Sequence, residues 1–293
     1  MVKAAERITF ETRTPQSYSE ILRGYAGTPA AAITGDLFLP AGAARKVPVV
    51  VTSIGSHGLT SGREELYAEA LTGAGFAMFI VDSYTARGFT ETISDQGKLS
   101  MAASVTDAMF AIRRMAADAR VDAKKIALMG YSRGGATAVQ GWDERIRRAA
   151  LGDLRPVAHV GLYPPCYQRW RHPQPVNAPL LMLFGGADEL AREDRGMEYA
   201  AVLRAAGGDV TTVTYPGLQH SFDANYAAKP NPQTMNLSAS RIMIEDDGDM
   251  SEDITGLRAG GDWAGFLHAV GARLGVKGAV TGKVTAPWSV IRP

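Results

Sequence analysis

The chain has 293 residues, enough for one large α/β domain or two modest ones, and 46% of them are hydrophobic, so a sizeable core is available. Its 31 basic and 30 acidic residues leave a net charge of +1, which makes no electrostatic case for nucleic acid or an anionic membrane as partner. The single cysteine, Cys166, excludes an internal disulfide framework and cysteine-rich zinc sites, and no run of about 18 apolar residues is present to span a membrane.

Residues 6–13 alternate like a half-exposed strand, and residues 31–39 read as its hairpin-type partner, ended by Pro40. Residues 14–29 between them read as a polar connection. Residues 47–53 form a continuous β-branched run, the pattern of a strand covered on both faces. A glycine-rich loop, 54–62, follows. Ser61 and Glu64 have the spacing of a capping box, opening a helix whose stripe is Leu66, Tyr67, Ala70, Leu71 and Ala74, with Gly75 as its stop. Residues 76–81 are the next buried strand, and 85–99 a polar loop. Met101, Val105, Ala108, Met109, Ile112 and Met115 recur at helical spacing, which predicts a core-facing stripe rather than a cofactor box.

Residues 125–139 carry the strongest local signal. An apolar run, Ile126 to Met129, breaks at Gly130-Tyr131-Ser132-Arg133-Gly134 and gives way to small residues that suit a helix packed close to a sheet. A serine on a strand–turn–helix apex sits in a strained conformation. Glycines two before and two after it relieve the crowding and leave its hydroxyl above the sheet edge. Further strands are expected at 157–162, 179–184 and 210–215, a helix at 191–206, and a proline-rich irregular stretch at 168–179. The alternation of strand and helix from residue 47 predicts a parallel sheet with helices on both faces: two antiparallel lead strands, then six mostly parallel. Residues 223–262 break the rhythm as a polar insertion with an acidic patch, before a closing helix with Trp263, Phe266, Leu267 and Val270 inward. The tail from residue 276, with Trp288 and Ile291, is expected to pack on the domain or on a second subunit, so a homodimer is one expected state.

Functional residues of open parallel sheets gather beyond the strand C-termini. Three such ends carry Ser132, Asp188 and His220, in the order nucleophile, acid, base of the α/β-hydrolase arrangement. A serine hydroxyl needs a base within hydrogen-bond reach, a histidine can take its proton and return it, and a carboxylate fixes the imidazole tautomer. Glu189, Asp194 and Asp223 are rival acids. Asp188 is favoured because it follows a strand end directly. Among the histidines, His159 reads as a core residue, His172 lies in a proline loop and His268 on the closing helix. His57 suits a wall or substrate contact better than the base. Backbone amides of Ser56 and Arg133 are the expected oxyanion hole. Tyr84, Arg87 and Tyr163, past other strand ends, are candidate substrate contacts, and loops 84–99, 164–178 and 223–262 the expected pocket walls. Cys166 reads as an inert packed thiol. The acidic patch lacks the glycine of a calcium loop, so neither metal nor cofactor is expected.

With these residues placed, the chain resembles the dienelactone hydrolase family of the α/β-hydrolase superfamily. The matching stretches are Gly58-Leu59-Thr60, Val81 to Gly88, Ile126 to Gly135, Gly186-Ala187-Asp188 and Gln219-His220-Ser221-Phe222. The resemblance implies an α/β-hydrolase fold of about eight strands over 1–293, with 223–262 as a lid-like insertion. It also implies hydrolysis of a small-molecule ester or lactone by the triad above. Well-known members use cysteine where this chain has Ser132, which favours ordinary ester hydrolysis, and many have His-Gly where it has Ile54-Gly55. A prolyl-oligopeptidase-like peptidase and a catalytically silent binding domain are the alternatives. The first residues, Met-Val-Lys-Ala-Ala-Glu-Arg, have no signal-peptide core. A cytoplasmic location is expected, or a periplasmic or secreted one if an export signal has been removed.

Overall fold

The computed structural model describes residues 5–60 and 62–283. In chain order the elements are β1 (Glu6–Arg13), α1 (Tyr18–Leu22), β2 (Ala30–Phe38), β3 (Val47–Ser53), α2 (Arg63–Gly73), β4 (Ala77–Asp82), α3 (Met101–Ala116), β5 (Val121–Tyr131), α4 (Arg133–Gln140) and α5 (Glu144–Leu151). They continue with β6 (Ala158–Leu162), β7 (Gln168–Trp170), β8 (Leu180–Gly185), α6 (Glu193–Ala205), β9 (Val210–Tyr215), β10 (Lys229–Asn236), β11 (Ile242–Ile244), β12 (Met250–Glu252), α7 (Trp263–Leu274) and β13 (Val276–Thr281). Eight strands form the main sheet in the order β1-β2-β4-β3-β5-β6-β8-β9. The first two are antiparallel to their neighbours, and the six from β4 to β9 run parallel. This is the α/β-hydrolase fold that the strand–helix alternation predicts, with every parallel strand aiming its C-terminal end at one edge.

The β-branched run of β3 shows why its pattern is continuous. Val49 and Val51 join the core that holds α3, whereas Val50 joins a second cluster with Ala68 of α2. Both faces are therefore covered, and even the polar residues that end the strand, Thr52 and Ser53, are buried. The methionine-rich stripe of α3 is buried throughout, so it is core. Trp263, Phe266, Leu267 and Val270 of α7 lie in the same cluster, as their spacing predicts.

Several segments depart from expectation. The connection at 14–29 holds α1, where Tyr18 and Ile21 are fully buried. The stretch 144–151 forms α5, whose Asp143 cap accepts from the Arg145 amide. The irregular stretch 168–179 opens with β7, which pairs in parallel with β11 of the insertion, and β11 pairs in turn with β12. The insertion is thus a small sheet rather than a loose loop. Its acidic residues are structural: Glu245 and Asp253 both pair with Arg171. Ser61 lies outside the described residues. The helix it was expected to cap begins at Arg63, and Glu65 accepts from the Gly62 amide at 2.6 Å. Trp288 and Ile291 also lie outside the described residues. The tail from Val276 forms β13, paired antiparallel with β10.

Candidate active site

β5 ends at Tyr131 and α4 begins at Arg133, so the turn is made by Ser132 alone. Its φ of 54° and ψ of −116° place a non-glycine residue in strained territory. The flanking glycines are required by contact. A Cβ on Gly130 would lie 2.1 Å from the Gly134 carbonyl oxygen, and one on Gly134 would lie 2.0 Å from that of Ser53. The Ser132 amide donates to the Leu162 carbonyl at 2.9 Å, tying the elbow to β6.

The ends of β8 and β9 bring the other two residues to Ser132. His220 Nε2 lies 2.8 Å from Ser132 Oγ, and its Nδ1 lies 2.7 Å from Asp188 Oδ2. The second Asp188 oxygen accepts from the Leu190 and Ala191 amides, each at 2.8 Å. With both oxygens engaged, the carboxylate cannot rotate away from the imidazole. The two loops are also joined directly, Ala187 N–H to the Leu218 carbonyl at 3.0 Å. The C-terminal strand adds a second clamp: the Gly282 amide donates to the His220 carbonyl at 2.7 Å, beyond the bridge between His220 and Thr281.

The rival residues are engaged elsewhere. Asp223 accepts from the hydroxyls of Tyr163, at 2.6 Å, and Tyr67, at 2.9 Å. Asp194 pairs with Arg192, and Glu189 is exposed. His268 pairs with Asp95 and His172 with Asp246. His159 is buried against the Ala138 carbonyl at 3.0 Å, and burial pushes it down to about 4. Burial likewise pushes the Cys166 thiol up to about 12, so no thiolate is available near neutral pH.

Ser132, Ser56 and Arg133 line one cavity of about 30 Å³. Arg133 heads α4, so its amide has no intrahelical carbonyl to meet. Gln96, which the sequence reading missed, links the two loops: its Nε2 donates to Ser56 Oγ at 3.0 Å, and its Oε1 accepts from Arg133 Nη1 at 2.8 Å. The three expected wall segments all contribute, through Ile93 and Gln96, through Pro165, Tyr167 and Gln168, and through Thr234, Met235 and Leu237. Among the described residues, Gln168 Oε1 and Thr234 Oγ1 are buried without a protein partner, leaving an acceptor and a hydroxyl for a ligand.

The four candidate substrate contacts do not line this cavity. Tyr84 is buried, its hydroxyl donating to the Gly55 carbonyl at 3.2 Å, so it supports the loop that carries Ser56. Arg87 is drawn away by a twofold hydrogen-bonded ion pair with Asp107, at 2.8 and 2.9 Å. Tyr163 is wholly buried, and its ring meets the His220 imidazole edge-on with centroids 4.8 Å apart, so it backs that imidazole rather than facing the cavity. His57 accepts at Nε2 from Asn231 at 3.1 Å; burial first, then the nearby His220 and the Arg63 cation, pushes it down to about 4.

The sequence matches the dienelactone hydrolase family over residues 33–244. A curated relative, acylamino-acid-releasing enzyme 2 of Oryza sativa subsp. japonica, is 25% identical over 218 residues; the match covers 61% of this chain and only 28% of that protein's length. Among solved structures, a hyperthermophilic esterase from Pyrobaculum calidifontis aligns with a TM-score of 0.55 at 19% identity, covering 76% of this chain and 79% of that one. A thermophilic esterase from Thermogutta terrifontis aligns with a TM-score of 0.51 at 20% identity, covering 65% and 79%. These likenesses support the fold. Among the described residues no helix is long and apolar enough to cross a membrane. The extent of the family match decides the assignment: the chain belongs to the dienelactone hydrolase family, a family of carboxylic ester hydrolases.

Proposed function

We propose that the chain hydrolyses small carboxylic esters or lactones through an acyl-enzyme on Ser132. The observation that carries this reading is the unbroken line Asp188–His220–Ser132, at 2.7 and 2.8 Å. Ser132 Oγ forms a bond to the carbonyl carbon while its proton passes to His220 Nε2, and Asp188 stabilises the imidazolium. The Ser56 and Arg133 amides receive the oxyanion, each such donor worth about 2.7–4 kcal/mol of barrier. Collapse breaks the carbon–oxygen bond to the leaving alcohol, which takes the proton from His220. Water then gives a proton to His220, attacks the acyl carbon and releases the acid, with the proton returned to Ser132.

Ser132→Ala should abolish turnover of p-nitrophenyl acetate and labelling by a fluorophosphonate probe. Full activity in that variant would end the reading. A second reading, cleavage of an acylated amino-acid amide, is favoured by the match to acylamino-acid-releasing enzyme 2. Turnover of such an amide without ester turnover would put it first.

A further inference from the structure

The cavity beside Ser132 shares a wall with a larger cleft. At about 30 Å³ the cavity has room for roughly two water-sized groups. Both oxyanion candidates line it and His220 does not. The leaving alcohol departs on the side of the histidine that protonates it, so the cavity faces the acyl group. Beyond it, between β10 and α7, lies an open cleft of about 480 Å³ reaching Pro232, Gly271 and Val276. Thr234 and Met235 line both spaces.

Met235 is the larger of the two, and its backbone is fixed twice. Its amide donates to the Ile93 carbonyl at 2.9 Å, and it pairs with Lys277 of β13. Its tip rests on α7: a Cβ built on Gly271 would come 2.7 Å from Met235 Cε. Shortening this side chain therefore removes partition while the strand that carries it stays anchored.

We propose that Met235 is the specificity-determining residue for acyl length, restricting the enzyme to esters of acetyl- or propionyl-sized acids. This rests on the ester-hydrolase reading above. With the side chain gone, the cavity opens into the cleft, and a medium-length acyl chain runs out along α7. The test compares kcat/KM for p-nitrophenyl acetate, butyrate and octanoate. Met235→Ala should raise the octanoate-to-acetate ratio by on the order of tenfold, the factor supplied by about two methylenes leaving water. Gly271→Ala, which favours the helix, should push the Met235 tip into the cavity and lower the butyrate-to-acetate ratio. Met197→Ala, at a methionine on α6 lining neither space, should leave both ratios unchanged. Acetate turnover with the same ratios in wild type, Met235→Ala and Gly271→Ala would overturn the proposal. If wild-type enzyme turned over no ester at all, the ester-hydrolase reading would fail first, and the role of Met235 with it.

Discussion

Replacing Asp188 with asparagine isolates what the carboxylate does for His220. The asparagine oxygen can keep the two bonds that Asp188 Oδ1 accepts from the Leu190 and Ala191 amides, so the loop has no reason to move. The side-chain amide nitrogen then faces His220 Nδ1 at the 2.7 Å position now held by Oδ2. Two donors cannot meet there. The imidazole must accept at Nδ1 and carry its proton on Nε2, where it points at Ser132 and cannot take the serine proton. The same exchange in a serine protease triad lowers kcat about 10⁴-fold, or about 5.5 kcal/mol at ~1.36 kcal/mol per tenfold. The assay is kcat on p-nitrophenyl acetate, with thermal unfolding to check that the fold is unaltered. Asp188→Ala is the contrast: it strands two buried amides, each costing about 1–3 kcal/mol, and should lower the melting temperature as well as the rate. An Asp188→Asn enzyme with more than a tenth of wild-type kcat would refute the assigned roles.

Tyr163→Phe removes the 2.6 Å bond to Asp223 and leaves that buried carboxylate with Tyr67 as its remaining hydroxyl donor. A stability loss of about 1.5–3 kcal/mol is expected in urea unfolding, and an unchanged midpoint would count against the network. His159 governs part of the acid response. Its folded value of about 4 lies below the ordinary 6.5, so the unfolded chain takes up a proton that the native state refuses. Its stabilising contribution is therefore full above about pH 6.5 and is lost as pH falls towards 4, by about 3 kcal/mol in all. His57, held near 4 by burial and by the nearby His220 and Arg63, acts in the same direction. Urea midpoints between pH 7.5 and 4.5 should fall less steeply in His159→Gln than in wild type, and equal slopes would disprove the contribution.

The parts of the molecule readable from sequence are those set by local rules. β3 and β9 match the expected spans because a short run so rich in β-branched residues has few other uses. Ser132, Asp188 and His220 stand out because each lies in the turn after a parallel strand, so chain order locates them in space. Tyr84, Arg87 and Tyr163 follow strand ends too, yet each turns into the protein. Their directions depend on distant partners, Gly55, Asp107 and Asp223, that no local pattern reveals. The same limit hid β7, whose partner β11 lies more than 70 residues further on and becomes a neighbour only in the folded chain. Gln96 had no signal at all, being one polar residue in a polar loop. A buried glutamine next to a buried arginine becomes informative only when both are seen to meet.

Among the described residues, three of the four non-glycine residues with positive φ surround the proposed catalytic line: Ser132 at 54°, Tyr163 at 37° and Ser221 at 60°. Each such conformation costs about 1–3 kcal/mol and persists only where its surroundings over-determine it. Separate groups hold each of the three. Ser132 is gripped by the Leu162 carbonyl and the close approach of Gly130 and Gly134. Tyr163 is held through its hydroxyl by Asp223, and Ser221 through its carbonyl, which accepts from the Ala224 amide at 2.9 Å. Because Asp223 lies three residues beyond His220, its bond to Tyr163 joins the histidine loop to the end of β6. That link is independent of Asp188. His220, the proposed base, is therefore positioned from two sides, by a carboxylate at Nδ1 and by the Tyr163 ring fixed to its own loop. In the proposed mechanism, preorganisation of this kind would let the proton move between Ser132 and His220 without a prior rearrangement of the site.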